Sequence, residues 1–199
     1  MFKVGITGGI GSGKSTVSRI LAECGVAVYT SDDRAKELMA SSQVLRDKIV
    51  DMFGEEAYLD GKLNKPYLAQ RVFSNPEALA KLNSIVHPAV MDDFDRWAEE
   101  QEGNYVVLES AILFEANLDS RVDCVVSVLA PEELRIERAM QRDGASREDI
   151  VRRIANQISD DERTERSKYA IVNISLEDLH EDVEQLHRRL AYDSTPRNH

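Results

Sequence analysis

A glycine-rich stretch close to the first residue carries the side chains best suited to chemistry. Residues 8–16 read Gly-Gly-Ile-Gly-Ser-Gly-Lys-Ser-Thr and fit the phosphate-binding pattern G-x-x-x-x-G-K-[ST]. Glycines let the backbone approach an anion closely, and the N–H groups of the loop and of the next helix point at it. The lysine of such a loop contacts the β- and γ-phosphates of a nucleoside triphosphate, and the hydroxyl after it ligates Mg²⁺. We therefore predict a nucleoside triphosphate site, with Ser15 as a metal ligand, that consists of Gly8, Gly11, Ser12, Gly13, Lys14, Ser15 and Thr16.

The segments on either side of this loop fit the same interpretation. Residues 2–7 predict a short apolar strand, and the helical spacing of apolar residues from Val17 to Cys24 predicts a helix that ends at Gly25. A glycine turn that merely links a strand to a helix is the alternative. The Lys-Ser ending and the correct flanks favour the phosphate site.

Carboxylates follow two further predicted strands. Asp32 and Asp33 come directly after residues 26–30, and Glu109 follows residues 105–108. The carboxyl ends of parallel strands form the rim where open α/β sheets hold their ligands. Asp32 and Asp33 could instead cap the helix that begins there, which explains one carboxylate better than two. Glu109 could orient a water molecule on Mg²⁺ or be an exposed carboxylate at the end of a strand.

The remaining pattern predicts a P-loop NTPase fold, a three-layer αβα arrangement around five parallel strands. The last two strands are predicted at residues 122–129 and 170–174. Residues 33–103 contain no convincing strand, so we predict a helical acceptor-binding subdomain inserted beside the sheet. Within it, Pro88 interrupts an apolar stripe and should kink the helix or start a new one. Residues 192–199 are expected to be a flexible tail.

An arginine-rich segment, residues 132–166, lies between the last two predicted strands and is expected to act as a lid. Arg138 and Arg142 are four residues apart, hence on one face of a helix. Each alone could be a solvated arginine paired with a nearby glutamate. For at least one of the two, we favour stabilisation of charge on the transferred phosphoryl group.

Composition narrows the possible partners. The net charge of −11 argues against general binding to nucleic acid or to a membrane surface, both of which need a basic face. No apolar stretch approaches the ~20 residues of a membrane span, and no stretch resembles a signal peptide. We therefore expect a cytoplasmic protein with Cys24 and Cys124 as buried, reduced thiols. The sequence predicts no particular oligomeric state.

These features together resemble the dephospho-CoA kinase family, from residue 5 to about residue 190. Besides the glycine-rich loop, the resemblance rests on residues 82–88 (Leu-Asn-Ser-Ile-Val-His-Pro), 111–115 (Ala-Ile-Leu-Phe-Glu), 141–143, 153–157 and Asn173. Many kinases share the loop, whereas the Leu-Asn-x-x-x-His-Pro stretch is far more specific. The resemblance implies transfer of the ATP γ-phosphate, with Mg²⁺, to the ribose 3′-hydroxyl of dephospho-CoA. That reaction is the last step of coenzyme A biosynthesis.

The resemblance also assigns roles to single residues. It implies that Asp32 faces the acceptor hydroxyl and accepts or orients it for in-line attack, and that His87 and Glu115 bind the substrate. It implies that Asn173 approaches the adenine edge. A histidine before a proline is also a common structural cap, and Asn173 at a strand end could be a turn residue.

Two positions depart from the family pattern. The family reads Asp-Ala-Asp after its second strand, where residues 30–32 read Thr-Ser-Asp, so the first carboxylate is absent. The family places a proline where Ala111 stands, and its loss should loosen the turn after the third strand.

Two other functions remain open at this point. The chain could be another small-molecule P-loop kinase that acts on a nucleoside monophosphate, shikimate or gluconate, although the helical insertion and the His87-Pro88 stretch argue against it. It could also be a non-catalytic switch that binds a nucleoside triphosphate to order a partner surface. That function predicts an Asn-Lys-x-Asp stretch for the base, and the sequence has none.

Overall fold

The computed structural model describes residues 1–73 and 75–195. The strands in this part of the chain are β1 (Phe2–Thr7), β2 (Ala27–Thr30), β3 (Tyr58–Leu59), β4 (Lys62–Leu63), β5 (Tyr105–Glu109), β6 (Cys124–Leu129) and β7 (Tyr169–Val172). The α-helices are α1 (Lys14–Glu23), α2 (Ser31–Ser41), α3 (Gln43–Phe53), α4 (Lys65–Phe73), α5 (Pro76–Glu99), α6 (Glu132–Asp143), α7 (Arg147–Ala155), α8 (Asp160–Glu165) and α9 (Leu176–Asp193). Short 3₁₀ turns lie at Glu55–Ala57 and Leu118–Arg121.

The main sheet has five parallel strands in the order β2-β5-β1-β6-β7. This arrangement confirms the predicted three-layer P-loop fold. Strand β5, which lies between β2 and the central strand β1, is buried at every position, as its continuous apolar run predicts. Glu109 at its end stands opposite Ile6 of β1 and Thr30 of β2, so the carboxyl ends of three strands meet at one edge.

The hydrophobic core packs against the strands whose ends form that edge. Side chains of β1, β5 and β6 pack in one buried cluster with Ile20 and Leu21 of α1 and with Val183 and Leu190 of α9. Each fully buried side chain of this size stabilises the fold by about 1.5–3 kcal/mol. The glycine-rich loop joins β1 to α1, so both of its ends are attached to this core.

The chain divides into two compact units. One contains Met1–Thr30 and Ala98–His199, and the other contains Ser31–Trp97. The second unit consists mainly of α2 to α5, whose buried residues include Leu45, Ile49 and Phe94.

The helical unit also contains a small hairpin that the sequence analysis missed. Strands β3 and β4, of two residues each, pair antiparallel. Asp60 and Gly61 join them with positive φ angles of 48° and 78°, in keeping with a tight Asp-Gly turn. Two residues are too few to show the alternation of a strand, so only the turn was recognisable.

The prediction that Pro88 could start a new helix is wrong, because α5 runs through it as one helix of 24 residues. A proline within a helix costs about 3 kcal/mol. Val86, Val90, Met91 and Phe94, on both sides of Pro88, are all buried. Burial of this stripe offsets the lost hydrogen bond.

The last helix and one thiol also differ from expectation. Helix α9 continues to Asp193, which accepts hydrogen bonds from Lys168 and Tyr169, so it extends two residues into the segment predicted as a tail. Residues 196–199 of that segment lie outside the described residues. Cys124 is buried, but Cys24 is exposed because it follows the last turn of α1. None of the described helices is long and apolar enough to cross a bilayer.

Candidate active site

The glycine-rich loop adopts a conformation that its glycines make possible. It joins Thr7, the end of β1, to Lys14, the start of α1. Gly11 and Gly13 have φ angles of 75° and 92°, in the left-handed region that favours glycine. Gly8 is also confined, because a Cβ atom there would lie 2.3 Å from the carbonyl oxygen of Val128. The local sequence therefore determines the shape of the loop.

The polar groups of this loop suit an anion. No side chain of the described residues caps the N-terminus of α1, whose first turn carries no acidic residue. The Ser12 hydroxyl is buried, with 1% of the residue exposed, and has no hydrogen-bond partner among the described residues. Lys14 Nζ lies over the loop and donates to the carbonyl oxygen of Gly8 at 2.9 Å. An uncapped helix N-terminus, an unpaired buried hydroxyl and an ammonium group fit a phosphate chain.

Both predicted metal ligands lie together. The Ser15 hydroxyl donates to Glu109 Oε1 at 2.9 Å, and Glu109 is only 8% exposed. The described residues contain no group of three or more histidine, cysteine, aspartate or glutamate side chains that could hold a metal. Mg²⁺ needs no such cage, since it keeps several waters and binds one or two protein ligands together with substrate phosphates. A hydroxyl and a carboxylate beside the phosphate loop fit that pattern.

Asn173 supports the loop through its side chain. Its Nδ2 donates to the carbonyl oxygen of Ser12 at 2.9 Å, and the residue is 3% exposed. A Cβ atom on Gly13 would lie 2.0 Å from the same Nδ2. The amide nitrogen is therefore committed to the loop. Arg138 donates in turn to the backbone oxygens of Asn173 and Ile174, at 3.1 and 3.0 Å, which ties α6 to the end of β7.

Two residues outside the predicted site also contact the loop. A Cβ atom on Gly9 would lie 2.1 Å from Arg135 Nη1, and Arg135 is 5% exposed. Gln157 Oε1 accepts the Ile10 N–H at 2.9 Å. Arg135 lies next to Ile136 and four residues before Ala139, both buried, so its position in α6 indicates that it is near the buried face of that helix. Gln157 ends the 153–157 stretch on which the family resemblance rests, but that resemblance assigned it no role.

In the helical unit, two neighbouring carboxylates behave differently. Asp33 forms an ion pair with Lys36 at 2.8 Å. The exposed Asp32 carboxylate makes no hydrogen bond or ion pair with any residue that the structure describes. Both lie in the first turn of α2, where the helix dipole favours negative charge.

Asp32 and the half-buried His87 lie within electrostatic reach of each other. Burial lowers the pKa of His87 from its ordinary value, and the negative charge of Asp32 opposes that shift. An ion pair between Arg34 of α2 and Asp93 of α5, at 2.7 Å, holds together the two helices that carry these residues. The structure therefore brings a carboxylate and an imidazole into one neighbourhood.

Comparison with known proteins identifies the family. A family model described as dephospho-CoA kinase matches residues 2–178. The chain belongs to the dephospho-CoA kinase family. The dephospho-CoA kinase of Bacteroides fragilis strain YCH46 is 46% identical over 172 residues, which cover 86% of this chain and 84% of that relative. The Corynebacterium diphtheriae dephospho-CoA kinase is 40% identical over 191 residues, 94% of each chain.

Solved structures agree on the fold. The crystal structure of TT1252 from Thermus thermophilus superposes with a TM-score of 0.82, at 33% identity over 98% of both chains. The dephospho-CoA kinase from Campylobacter jejuni reaches a TM-score of 0.70 at 23% identity, over 97% of this chain and 98% of that one. A shikimate kinase from Acinetobacter baumannii reaches 0.58 at 18% identity, over 98% and 96% of the chains. At such identities the last two show the fold alone.

Arg142 and Glu115 are two of the site residues predicted from the sequence. In this dephospho-CoA kinase family member, each bonds to other residues of the chain. Arg142 is exposed and bonds Asp143 through Nε at 2.7 Å, the solvated arrangement that the sequence analysis left open. Glu115 Oε1 accepts the Ile158 N–H at 3.3 Å and lies 3.6 Å from Nη2 of the buried Arg163. In these positions Arg142 is exposed to solvent, whereas Glu115 holds the start of α8.

Proposed function

We propose that this chain transfers the γ-phosphate of ATP to the ribose 3′-hydroxyl of dephospho-CoA, giving coenzyme A and ADP. The observation that carries the proposal is the Ser15–Glu109 pair beside the glycine-rich loop and the uncapped N-terminus of α1, in a chain that belongs to the dephospho-CoA kinase family. Phosphoryl transfer needs positioning and charge neutralisation more than covalent chemistry, and these groups supply both. Because the donor is ATP, we also propose that the enzyme works in the cytoplasm.

The loop holds the triphosphate in this proposal. Backbone N–H groups at the uncapped N-terminus of α1 and the Ser12 hydroxyl cradle the phosphates, and Lys14 leaves the Gly8 carbonyl oxygen to meet them. Ser15 and Glu109 would hold Mg²⁺, directly or through water. The ion neutralises charge on the β- and γ-phosphates when bound.

Asp32 accepts or orients the proton of the acceptor hydroxyl. Its exposure and its lack of a partner among the described residues support this role, whereas Asp33 is engaged by Lys36. A carboxylate that must take a proton needs a free oxygen within reach of the substrate. His87, whose lowered pKa favours the neutral ring, is suited to a hydrogen bond with the acceptor. Asp32 works here without the first carboxylate of the Asp-Ala-Asp pattern, whose position Thr30 occupies.

The two helix arginines take different parts. Arg142 is side-chain exposed, and an exposed ion pair contributes only about 0–1 kcal/mol, so it can leave Asp143 at little cost. We assign Arg142 to the charge on the transferred phosphoryl group. Arg138 is bound to two carbonyl oxygens at the end of β7 and stabilises the nucleotide side of the site.

A coupled assay of ADP release tests the function. With ATP and Mg²⁺, dephospho-CoA should support turnover, whereas AMP, shikimate and gluconate should not. Mass spectrometry of the product should show one added phosphate, and nuclease P1, which removes 3′-phosphates from nucleotides, should release it. Excess EDTA should stop the reaction, and Mg²⁺ should restore it. Turnover of shikimate or AMP without turnover of dephospho-CoA would overturn the proposal.

A further inference from the structure

The tip of the glycine-rich loop is attached to the arginine-rich segment at Ile10. Its backbone N–H donates to Gln157 Oε1 at 2.9 Å. Its partly buried side chain packs against a small cluster formed by Ile136, Ala139 and Ile150 of α6 and α7. Backbone and side chain of one loop residue are thus both held by the segment between β6 and β7.

Gln157 is itself held in place by the turn between α7 and α8. Its N–H donates to the carbonyl oxygen of Ile154 at 3.0 Å. The next N–H, of Ile158, is bound by Glu115, and Ser159 caps α8 by accepting the Glu162 N–H at 3.1 Å. The backbone on both sides of Gln157 is fixed, so its side-chain oxygen can act as a defined acceptor.

The same turn contacts the neighbouring loop residue. Arg135, buried beside Gly9, lies 3.4 Å through Nη2 from Asp160, the first residue of α8. Asp160 also bonds the fully buried Arg163 at 2.9 Å. Buried guanidinium groups need such partners, because an unpaired buried charge is costly. Gly9 and Ile10 therefore share one supporting structure.

We propose that Gln157 is a positioning residue for the phosphate-binding loop. By accepting the Ile10 N–H it holds the tip of the loop in its binding conformation. The loop then loses less conformational entropy when the triphosphate binds. It also links any movement of the lid segment to the loop. The proposal rests on the proposed use of this loop for ATP, and Gln157 acts through Ile10 rather than on the reacting atoms.

Gln157→Met tests the proposal, because methionine keeps the length of the side chain but cannot accept the N–H as an amide oxygen does. We expect exchange of the Ile10 amide, followed by NMR without nucleotide, to accelerate about fivefold, the value of one neutral hydrogen bond. The Kd for ATP with Mg²⁺ should rise about fivefold for the same reason, with the KM for dephospho-CoA unchanged. Gln157→Glu keeps an acceptor oxygen and should leave Ile10 exchange within about twofold of the parent. Gln185→Met, on the exposed face of α9, is the matched control.

The possible outcomes separate the proposal from its alternatives. A Gln157→Met protein with unchanged ATP affinity, or with tighter ATP binding, would overturn it, the latter by showing that Gln157 competes with phosphate. A lower melting temperature together with equal increases in the Kd for ATP and the KM for dephospho-CoA would also overturn it. That result would indicate that Gln157 makes a structural contact only. Should Gln157→Met not fold, rapid Ile10 exchange in the parent or in Gln157→Glu would refute it. A parent that binds no ATP would refute the proposed function, while Ile10 exchange would still test the contact.

Discussion

Asn173 offers a clear choice between two roles for a residue that ends a strand. The family resemblance implies the adenine edge, whereas the structure commits its Nδ2 to the Ser12 carbonyl oxygen at 2.9 Å. Asn173→Ala removes that donor and leaves the carbonyl of a buried loop residue without it. If support of the loop is the main role, the substitution should weaken both the fold and the binding of phosphates.

The structure allows the size of this effect to be worked out. Asn173 is 3% exposed, so water cannot readily replace the lost donor. A buried acceptor left unsatisfied costs about 1–3 kcal/mol. For a protein of this size each kcal/mol lowers the Tm by about 2–4 °C, so we expect a fall of about 2–12 °C. A loop disordered by a similar free energy should bind ATP about tenfold more weakly.

Inorganic triphosphate distinguishes the two roles, because it has phosphates but no base. A supporting role predicts that ATP and inorganic triphosphate both lose affinity by the same factor in Asn173→Ala. Asn104→Ala, at an exposed position before β5, provides the control and should change neither affinity nor Tm. If ATP alone binds more weakly, and the Tm stays within about 1 °C of the parent, the loop-support reasoning is refuted.

Three further substitutions test the rest of the site. Lys14→Ala should lower kcat on the order of 10²–10³-fold in a folded protein, because it removes a charge from the phosphates, and near-normal turnover would exclude the loop from catalysis. Asp32→Asn should lower kcat at least ~100-fold with Tm unchanged, since the amide caps a helix but is no base. Asp33→Asn, which loses only an exposed ion pair, should keep a kcat close to that of the parent. Burial lowers the pKa of His87 from 6.5, so its contribution to stability is present above about pH 6.5 and is lost as the pH falls towards the folded pKa. In melting curves from pH 7 to pH 5, His87→Gln should flatten the fall in Tm at acid pH, whereas His180→Gln, at an exposed position, should not. A parallel fall in the parent and in both variants would contradict the assignment of this pH dependence to His87.

Local patterns predicted the elements that hold the site. The strand, the glycine-rich loop and the helix from residue 2 to residue 23 are specified by residues that are neighbours in sequence. Glu109 became a candidate ligand through its place at the end of a buried strand, and the sheet register puts it beside β1 and β2. The β3–β4 hairpin was missed because two-residue strands carry no periodicity. The sequence left open whether Pro88 kinks a helix or starts a new one, because the tertiary burial that outweighs the local penalty of proline does not show in the local pattern.

The arginine-rich segment shows why contacts to the loop could not be predicted in the same way. Spacing placed Arg138 and Arg142 on one face of α6, but long side chains from one face reach different partners: the carbonyl oxygens at the end of β7 for the first, and Asp143 for the second. The arginine that lies against the loop is Arg135, one turn earlier. Arginine side chains are mostly exposed in proteins, and a buried guanidinium group needs a partner such as Asp160 to offset the cost of burying its charge. Its place beside Ile136 puts Arg135 near the buried face of α6. Its partner, however, comes from a helix 25 residues later, so spacing within α6 could not have shown what makes the burial of Arg135 possible.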